Sequence, residues 1–182
     1  MSMRNDDFYM HRALDEAHRA LGVGEVPVGA VVVDRDGEII GRGYNQPIAT
    51  HDPSAHAEIM AMRSAAEHRS NYRLEECSLY VTLEPCMMCL GAIIHARLKR
   101  VVYGAAEPRT GMVESCANLA AQPWHAHRPE LTGGVQAGRC QRLLKRFFSE
   151  RRQASQADSS EAEERAAGSP FSAAGNPPKS TP

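Results

Sequence analysis

Two short groups of metal-ligating residues constrain this 182-residue chain more than any other feature. His56-Ala57-Glu58 stands at the start of one predicted helix, and Pro85-Cys86-Met87-Met88-Cys89 stands at the start of another. Because residues three apart on a helix share one face, both cysteine sulfurs can reach the same ion. The fold must therefore bring the starts of two helices together at a single site.

The ligand types in these groups point to zinc, since two soft thiolates and one imidazole favour it over the other common divalent metals. Unpaired N–H groups and the helix dipole at a first turn also stabilise thiolates. We therefore predict one Zn²⁺ per subunit, held by His56, Cys86 and Cys89. Three protein ligands leave a coordination position for water, which is typical of catalytic zinc.

Glu58 lies two residues after the predicted histidine ligand. A carboxylate there can take a proton from zinc-activated water and deliver it to a ring nitrogen and then to a departing ammonia. A glutamate near a helix start also has an ordinary explanation, because it interacts favourably with the helix dipole. Beside a three-ligand zinc motif we favour the catalytic role.

Two other interpretations of the cysteines stay open on the residues alone. A fourth ligand from Cys77, Cys140 or His95 would close the coordination shell and make the zinc structural. A redox role for the C-x-x-C pair is the second alternative, but it leaves His56 and Glu58 unexplained.

The periodicity of apolar residues predicts an α/β fold with a mixed sheet of about five strands and helices on both faces. The first two strands should form an antiparallel hairpin, and later strands separated by helices should pair in parallel. Residues 107–134 are expected to be mostly irregular and to shape a substrate opening. The expected helices cover residues 6–21, 55–68, 86–96 and 136–152, and the expected strands cover 26–33, 39–44, 77–83 and 100–105.

Composition gives one domain over residues 1–152 and a disordered tail over 153–182, since the tail is rich in Ser, Ala, Glu, Gly and Pro. No stretch approaches the ~18 apolar residues of a membrane span, so we expect a cytoplasmic protein without membrane contact.

The net charge of -1 provides no overall basic field. An RNA partner would depend on local clusters, such as Arg97, Lys99, Arg100 or Arg142, Lys145, Arg146.

The two motif groups together match the H-x-E…P-C-x-x-C signature of zinc nucleobase deaminases. Over about residues 6–152 the chain resembles the bacterial tRNA-specific adenosine deaminase family, within the cytidine and deoxycytidylate deaminase superfamily. Phe147-Phe148 and Arg151-Arg152 are similar to the C-terminal ending of that family. The other segments that carry the resemblance are Glu25–Ala30, Asn45-x-Pro47, His51–Glu58 and Thr82–Cys89.

This resemblance implies a three-layer α/β/α cytidine-deaminase-like fold, a homodimer, and a tRNA anticodon stem-loop as partner. The implied reaction is hydrolytic deamination of the wobble adenosine to inosine, which acts on the C–N bond of an amidine. Glu107 and Arg109 stand where the family usually carries Asp and Lys. For the catalytic group, the resemblance implies zinc ligands at His56, Cys86 and Cys89 and a proton shuttle at Glu58. For the substrate, it implies a hydrogen bond from Asn45 to the flipped base and pocket walls at Val28 and Leu83. It also implies a ribose contact at Glu107 and further substrate contacts at Phe148 and Arg152.

Two competing functions remain at this point. A small-molecule deaminase acting on guanine, cytosine or a pteridine-like precursor would use the same zinc chemistry. A non-catalytic RNA-binding or structural zinc protein would need a fourth protein ligand or a blocked pocket.

Overall fold

Helices and strands alternate along the part of the chain that the structure, a computed structural model, describes. It describes residues 5–167, and only the backbone at 158 and 160–167. None of its helices combines the length and the apolar character needed to cross a bilayer. The elements are α1 Asp6–Gly22, β1 Gly29–Val33, β2 Ile39–Tyr44, α2 Pro47–Thr50, α3 Ala57–Arg69, β3 Ser78–Leu83, α4 Met87–His95, β4 Arg100–Ala105, β5 Glu130–Thr132 and α5 Ala137–Ala167.

The strands form one mixed sheet in the order β2-β1-β3-β4-β5. β1 pairs antiparallel with both β2 and β3, whereas β4 pairs parallel with β3 and β5. The predicted mixed sheet and its antiparallel first pair are therefore confirmed. β5 lies inside the stretch that was expected to be irregular, because three residues are too few to produce a readable alternation of apolar and polar positions.

Helices cover both faces of the sheet, as predicted. Side chains alternate between the two faces along each strand, so each strand contributes to two separate apolar clusters. One cluster packs beneath α3 and α4 and includes Ala30, Val32, Leu79, Val81, Ala61 and Ile93. The other packs beneath α1 and the first turns of α5 and includes Val31, Val33, Tyr80, Val102, Met10 and Cys140.

Helix α3 lies directly against the backbone of β2 because β2 carries two glycines that face it. A Cβ atom on Gly43 would lie 2.3 Å from the Ala61 nitrogen and 2.4 Å from the Ala57 oxygen. A Cβ atom on Gly41 would lie 2.3 Å from the Ala61 oxygen. This close approach fixes the first turn of α3 over the end of the sheet, where the first motif group stands.

The last helix extends beyond the end that the sequence predicted. α5 continues from Arg152 to Ala167, so residues 153–167 are helical and not disordered. The segment lacks core formers, but it contains five Ala, three Glu and two Gln residues, which favour a helix without tertiary packing. The first compact unit ends at Phe147, and the chain from Phe148 onward forms a second unit. The rest of the predicted tail, 168–182, lies outside the described residues.

Replacing Gly43 with valine should lower the free energy of unfolding, because the new side chain would collide with the backbone of α3. Overpacking a buried site costs about 1–3 kcal/mol, and we expect the upper part of that range. Urea denaturation measures the change. The control is Gly22→Ala on α1, where nothing lies within 4 Å of the Cβ position. That variant should gain about 0.5–1 kcal/mol, and wild-type stability in Gly43→Val would contradict the close packing.

Candidate active site

The two motif groups meet at the carboxyl end of β3. His56 is the N-cap residue of α3, and Cys86 is the N-cap residue of α4, so each precedes the first turn in which it was expected. Cys89 lies in the first turn of α4 and is buried. Because α3 and α4 pack on the same face of the sheet, their N-termini present all three side chains to one point.

The three potential ligand atoms have the spacing that a tetrahedral ion requires. His56 Nδ1 lies 3.7 Å from Cys86 Sγ and 3.5 Å from Cys89 Sγ. The three atoms lie within 4.8 Å of one another. A tetrahedral zinc ion with nitrogen at about 2.0 Å and sulfur at about 2.3 Å holds those two atoms roughly 3.5 Å apart. The donor set and its geometry therefore fit zinc.

No fourth protein ligand joins this group among residues 5–167, side chains 158 and 160–167 aside. Cys77 precedes β3, at the opposite end of that strand from the group. Cys140 lies in the first turn of α5 and packs in the other cluster. His95 is the last residue of α4, and its side chain is exposed. The arrangement thus supplies three ligands, as a catalytic zinc site does.

Before a cation binds, the two thiols share one negative charge. A hydrogen bond from Cys89 is the main reason that the pKa of Cys86 falls to about 4, and His56 lowers it further. The same hydrogen bond, together with burial, raises the pKa of Cys89. The pKa of His56 is also raised, chiefly by its hydrogen bond with Cys86. A divalent cation binds the thiolate of Cys89 and the neutral form of His56, so its binding competes with protons on both groups.

Glu58 lies in the first turn of α3 with only 4% of its surface exposed. Burial raises its pKa above the usual range, although a backbone hydrogen bond and the charge of His56 act in the opposite direction. A hydrogen bond links its carboxyl group with Cys89, so it stands beside the ligand group. A raised pKa makes the carboxylate of Glu58 a stronger proton acceptor than an exposed glutamate.

Three of the predicted substrate residues lie at the same end of the sheet as the ligand group. Asn45 follows β2, Val28 precedes β1, and Leu83 ends β3. Asn45 Oδ1 accepts a hydrogen bond of 2.9 Å from the Ala57 N–H, which ties the asparagine to the first turn of α3. Val28 is buried under α3, and Leu83 is partly buried. The topology therefore places one polar side chain, Asn45, and two apolar side chains, Val28 and Leu83, at the same end of the sheet as the predicted metal ligands.

The loop after β4 places Glu107 at this end of the sheet as well. Glu107 Oε1 accepts a hydrogen bond of 3.0 Å from the Arg109 N–H and lies 3.5 Å from Arg109 Nε. The Glu107 side chain is 17% exposed, whereas that of Arg109 is 81% exposed. Glu107 thus braces its own loop, and Arg109 projects into solvent.

Two buried glutamates near the site were not identified as functional from the sequence. Glu84 accepts hydrogen bonds from the backbone of the loop after β4, and Glu25 Oε1 accepts two bonds of 2.8 Å from the N–H groups of Ile48 and Ala49. Each thereby fixes a loop at the edge of the site. The sequence offered one signal for Glu84, which is a charged residue at the end of an apolar strand directly before Pro85.

The remaining predicted RNA contacts are not part of this group. Phe148 and Arg152 lie on α5 in the second unit, and their side chains are exposed. Arg100 forms a two-pronged ion pair with Asp6, with N–O distances of 2.7 and 2.8 Å. Lys99 lies 2.8 Å from Glu76. Two members of the first predicted basic cluster are therefore already paired with acids.

A family model described as the cytidine and deoxycytidylate deaminase zinc-binding region matches residues 3–105. The chain is 47% identical over 148 residues to a tRNA-specific adenosine deaminase of Haemophilus influenzae, which covers 81% of this chain and 86% of that protein.

Solved structures give the same picture of the fold. A structure from a study of A-to-I editing by tRNA:A34 deaminases at the wobble position is 42% identical, with a TM-score of 0.73, and covers 75% of this chain and 99% of the other. Guanine deaminase from Bacillus subtilis is 43% identical, with a TM-score of 0.54, and covers 57% of this chain and 66% of that one. The three-layer α/β/α deaminase fold is confirmed, and the chain belongs to the cytidine and deoxycytidylate deaminase family.

Proposed function

We propose that this protein converts the wobble adenosine of a tRNA anticodon stem-loop to inosine by hydrolysis. The meeting of His56, Cys86 and Cys89 beside the buried Glu58 carries the chemical part of the proposal. The choice of adenosine in tRNA rests on the similarity to tRNA-specific adenosine deaminases over most of their length.

One Zn²⁺ per subunit would be held by His56 Nδ1 and by the sulfur atoms of Cys86 and Cys89. When bound, the ion would act as a Lewis acid and lower the pKa of a water molecule toward neutrality. Glu58 would accept one proton of the attacking water on a carboxylate oxygen and donate it to a ring nitrogen of adenine. It would then transfer the second proton of that water from the new C–OH group to the amino group, so that the C=O bond forms as the C–N bond breaks and ammonia leaves. The reaction consumes one water molecule and releases one ammonia.

The groups around the ligands have the properties that an extruded base needs. The amide group of Asn45, fixed by its bond to the Ala57 N–H, would bind the edge of the adenine. Val28 and Leu83 would provide apolar walls. Glu107 would accept a hydrogen bond from a ribose hydroxyl, and Phe148 and Arg152 would also contact the RNA.

The catalytic domain in this proposal comprises residues 1–152, and residues 153–182 take no part in the reaction. A chain that ends at Arg152 would therefore keep its activity. Because the substrate is a tRNA, we place the reaction in the cytoplasm.

Homodimerisation is the second part of the proposal, and the exposed side of α4 is the surface that supports it. Met87 and Met88 are 60% and 38% exposed, and nothing lies within 4 Å of the Cβ position of Gly91. Two copies of such a helix could approach each other closely and bury these methionines.

Free guanine is a second candidate substrate, because a guanine deaminase is among the structures that this chain resembles. That structure matches a smaller part of the chain with a lower TM-score than the tRNA deaminase. We therefore favour RNA. An assay that offers both substrates to the same preparation separates the two functions.

Glu58→Ala should keep its zinc but lose activity on an adenosine-containing anticodon stem-loop by about 10²–10⁴-fold, because it removes proton transfer and leaves the ligands intact. Inosine formation and bound zinc would be measured on the same preparation, with free adenine, guanine and cytosine as alternative substrates. Glu16→Gln is the control, since Glu16 is also buried but lies on α1. If the wild-type protein deaminates guanine but not RNA, the proposal that RNA is the substrate is wrong. If Glu58→Ala loses its zinc, Glu58 is a zinc ligand and not only a proton carrier.

In metal-free protein, alkylation of Cys86 should proceed at nearly the same rate from about pH 8 to about pH 5. Its pKa of about 4 means that the thiolate persists until the pH falls to that value. An ordinary cysteine, with a pKa of about 8.5, slows about tenfold for each pH unit below it. A Cys116→Ser background removes the exposed thiol, and mass spectrometry identifies the modified residue. Added zinc should protect Cys86, and a tenfold loss per pH unit would contradict this charge distribution.

Wild-type protein should elute as a dimer of about twice the 19.9 kDa chain mass in size-exclusion chromatography with light scattering. The double variant Met87→Glu, Met88→Glu should be monomeric, because burying two carboxylates against a second copy is unfavourable. Val23→Glu is the control, since Val23 is a comparably exposed residue after α1. A wild-type monomer would refute the dimer, and a dimeric double variant would refute this interface.

A further inference from the structure

Glu84 is a buried carboxylate surrounded by hydrogen-bond donors from a single loop. Only 3% of its surface is exposed. Its Oε1 accepts bonds from the N–H groups of Val113, Glu114 and Ser115 at 3.2, 2.8 and 2.9 Å. Its Oε2 accepts a bond of 3.0 Å from the Glu107 N–H and a second from the Ser115 hydroxyl. Five donors of the segment 107–115 therefore converge on one side chain.

The same segment is joined to the turn that carries the cysteine ligands. The Met112 N–H donates a bond of 3.0 Å to the Pro85 oxygen, and Gly111 forms an isolated antiparallel β-bridge with Cys86. A Cβ atom on Gly111 would lie 2.4 Å from Glu84 Cδ, so only glycine allows this approach. The segment and the ligand turn therefore have one fixed relative position.

The outer part of the segment faces solvent at the edge of the site. Ala106, Pro108, Arg109 and Thr110 are exposed, and Glu107 is bonded to the Arg109 N–H. Glu84 itself is buried and cannot reach a large substrate. Its effect on a substrate must pass through the loop that it holds.

We propose that Glu84 is a positioning residue for the RNA substrate. It holds segment 107–115 against the ligand turn, so that Glu107 and Arg109 meet the nucleotides beside the target base without a further ordering step. The inference rests on the proposed function. Because ordering a loop opposes binding, loss of this support should weaken RNA binding and leave the chemical step intact.

Glu84→Gln tests this role with little change of volume. The amide removes one acceptor oxygen and turns an NH₂ group toward donors of the loop. We expect the KM for an anticodon stem-loop to rise about tenfold, with kcat and zinc content unchanged. Hydrogen exchange at the amides of residues 107 and 113–115 should accelerate in the absence of RNA.

Thr82→Val is the matched control, because it removes one buried hydrogen bond from the same strand. Thr82 Oγ1 accepts a bond of 3.1 Å from the N–H of Gly29, the first residue of β1, so this bond joins two strands and does not involve segment 107–115. This variant should lose stability but keep the wild-type KM. An equal rise of KM in both variants, or unchanged KM and exchange in Glu84→Gln, would overturn the inference.

Ser115→Ala covers the case in which Glu84→Gln does not fold, since it removes only the hydroxyl donor. It should raise the KM about threefold with an unchanged kcat, in the same direction as the larger variant. A wild-type KM in a folded Ser115→Ala protein would then overturn the inference. Wild-type protein that is inactive on the stem-loop would refute the proposed function as well, whereas an active wild type beside unaffected variants would refute the positioning role alone.

Discussion

The convergence of one imidazole and two thiols at the starts of α3 and α4 is the constraint on which the rest of the site depends. It requires α3 to lie on the backbone of β2, where Gly41 and Gly43 leave room for it. It also requires α4 to begin directly after β3. The glycines of β2 and the ligands of α3 and α4 are far apart in the sequence, but they serve one geometric purpose. A shift of either helix by the width of one atom would separate the ligand atoms.

The site contains two buried glutamates whose pKa values move in opposite directions. For Glu58, burial is the main cause, and it raises the pKa. Burial also acts on Glu84, but hydrogen bonds from Ser115 and from backbone N–H groups outweigh it and lower the pKa. A carboxyl group that can be protonated is suited to carry protons, whereas one that stays ionised is suited to hold donors in place. The number of hydrogen-bond donors around each carboxylate thus distinguishes Glu58, which can carry protons, from Glu84, which holds a loop in place.

Much of this organisation could be predicted from the sequence because the decisive signals are local. The spacing of Cys86 and Cys89 requires only one helical turn, and the apolar alternation of β3 requires only six residues. The role of Glu84 depends on a partner segment more than 20 residues away, so its place between an apolar strand and Pro85 marks it as unusual but does not indicate what it binds. β5 is too short to produce a pattern, and the extension of α5 follows helix propensity without burial. Prediction from the sequence therefore missed three kinds of feature, which are contacts between distant segments, very short strands, and a helix that forms without burying an apolar face.

The loop after β4 shows how the sequence departs from its family without losing the arrangement of charges. Glu107 stands where the resemblance implies an aspartate, and its Oε1 accepts a hydrogen bond from the Arg109 N–H in the same loop. The acid and the base therefore remain neighbours, and part of the carboxylate is satisfied before any substrate arrives. Since the Glu107 N–H is held by Glu84, the backbone at this position is fixed by a bond that does not involve the Glu107 side chain. Selection among flanking nucleotides in this protein should therefore depend on a carboxylate oxygen whose direction the loop itself has already fixed.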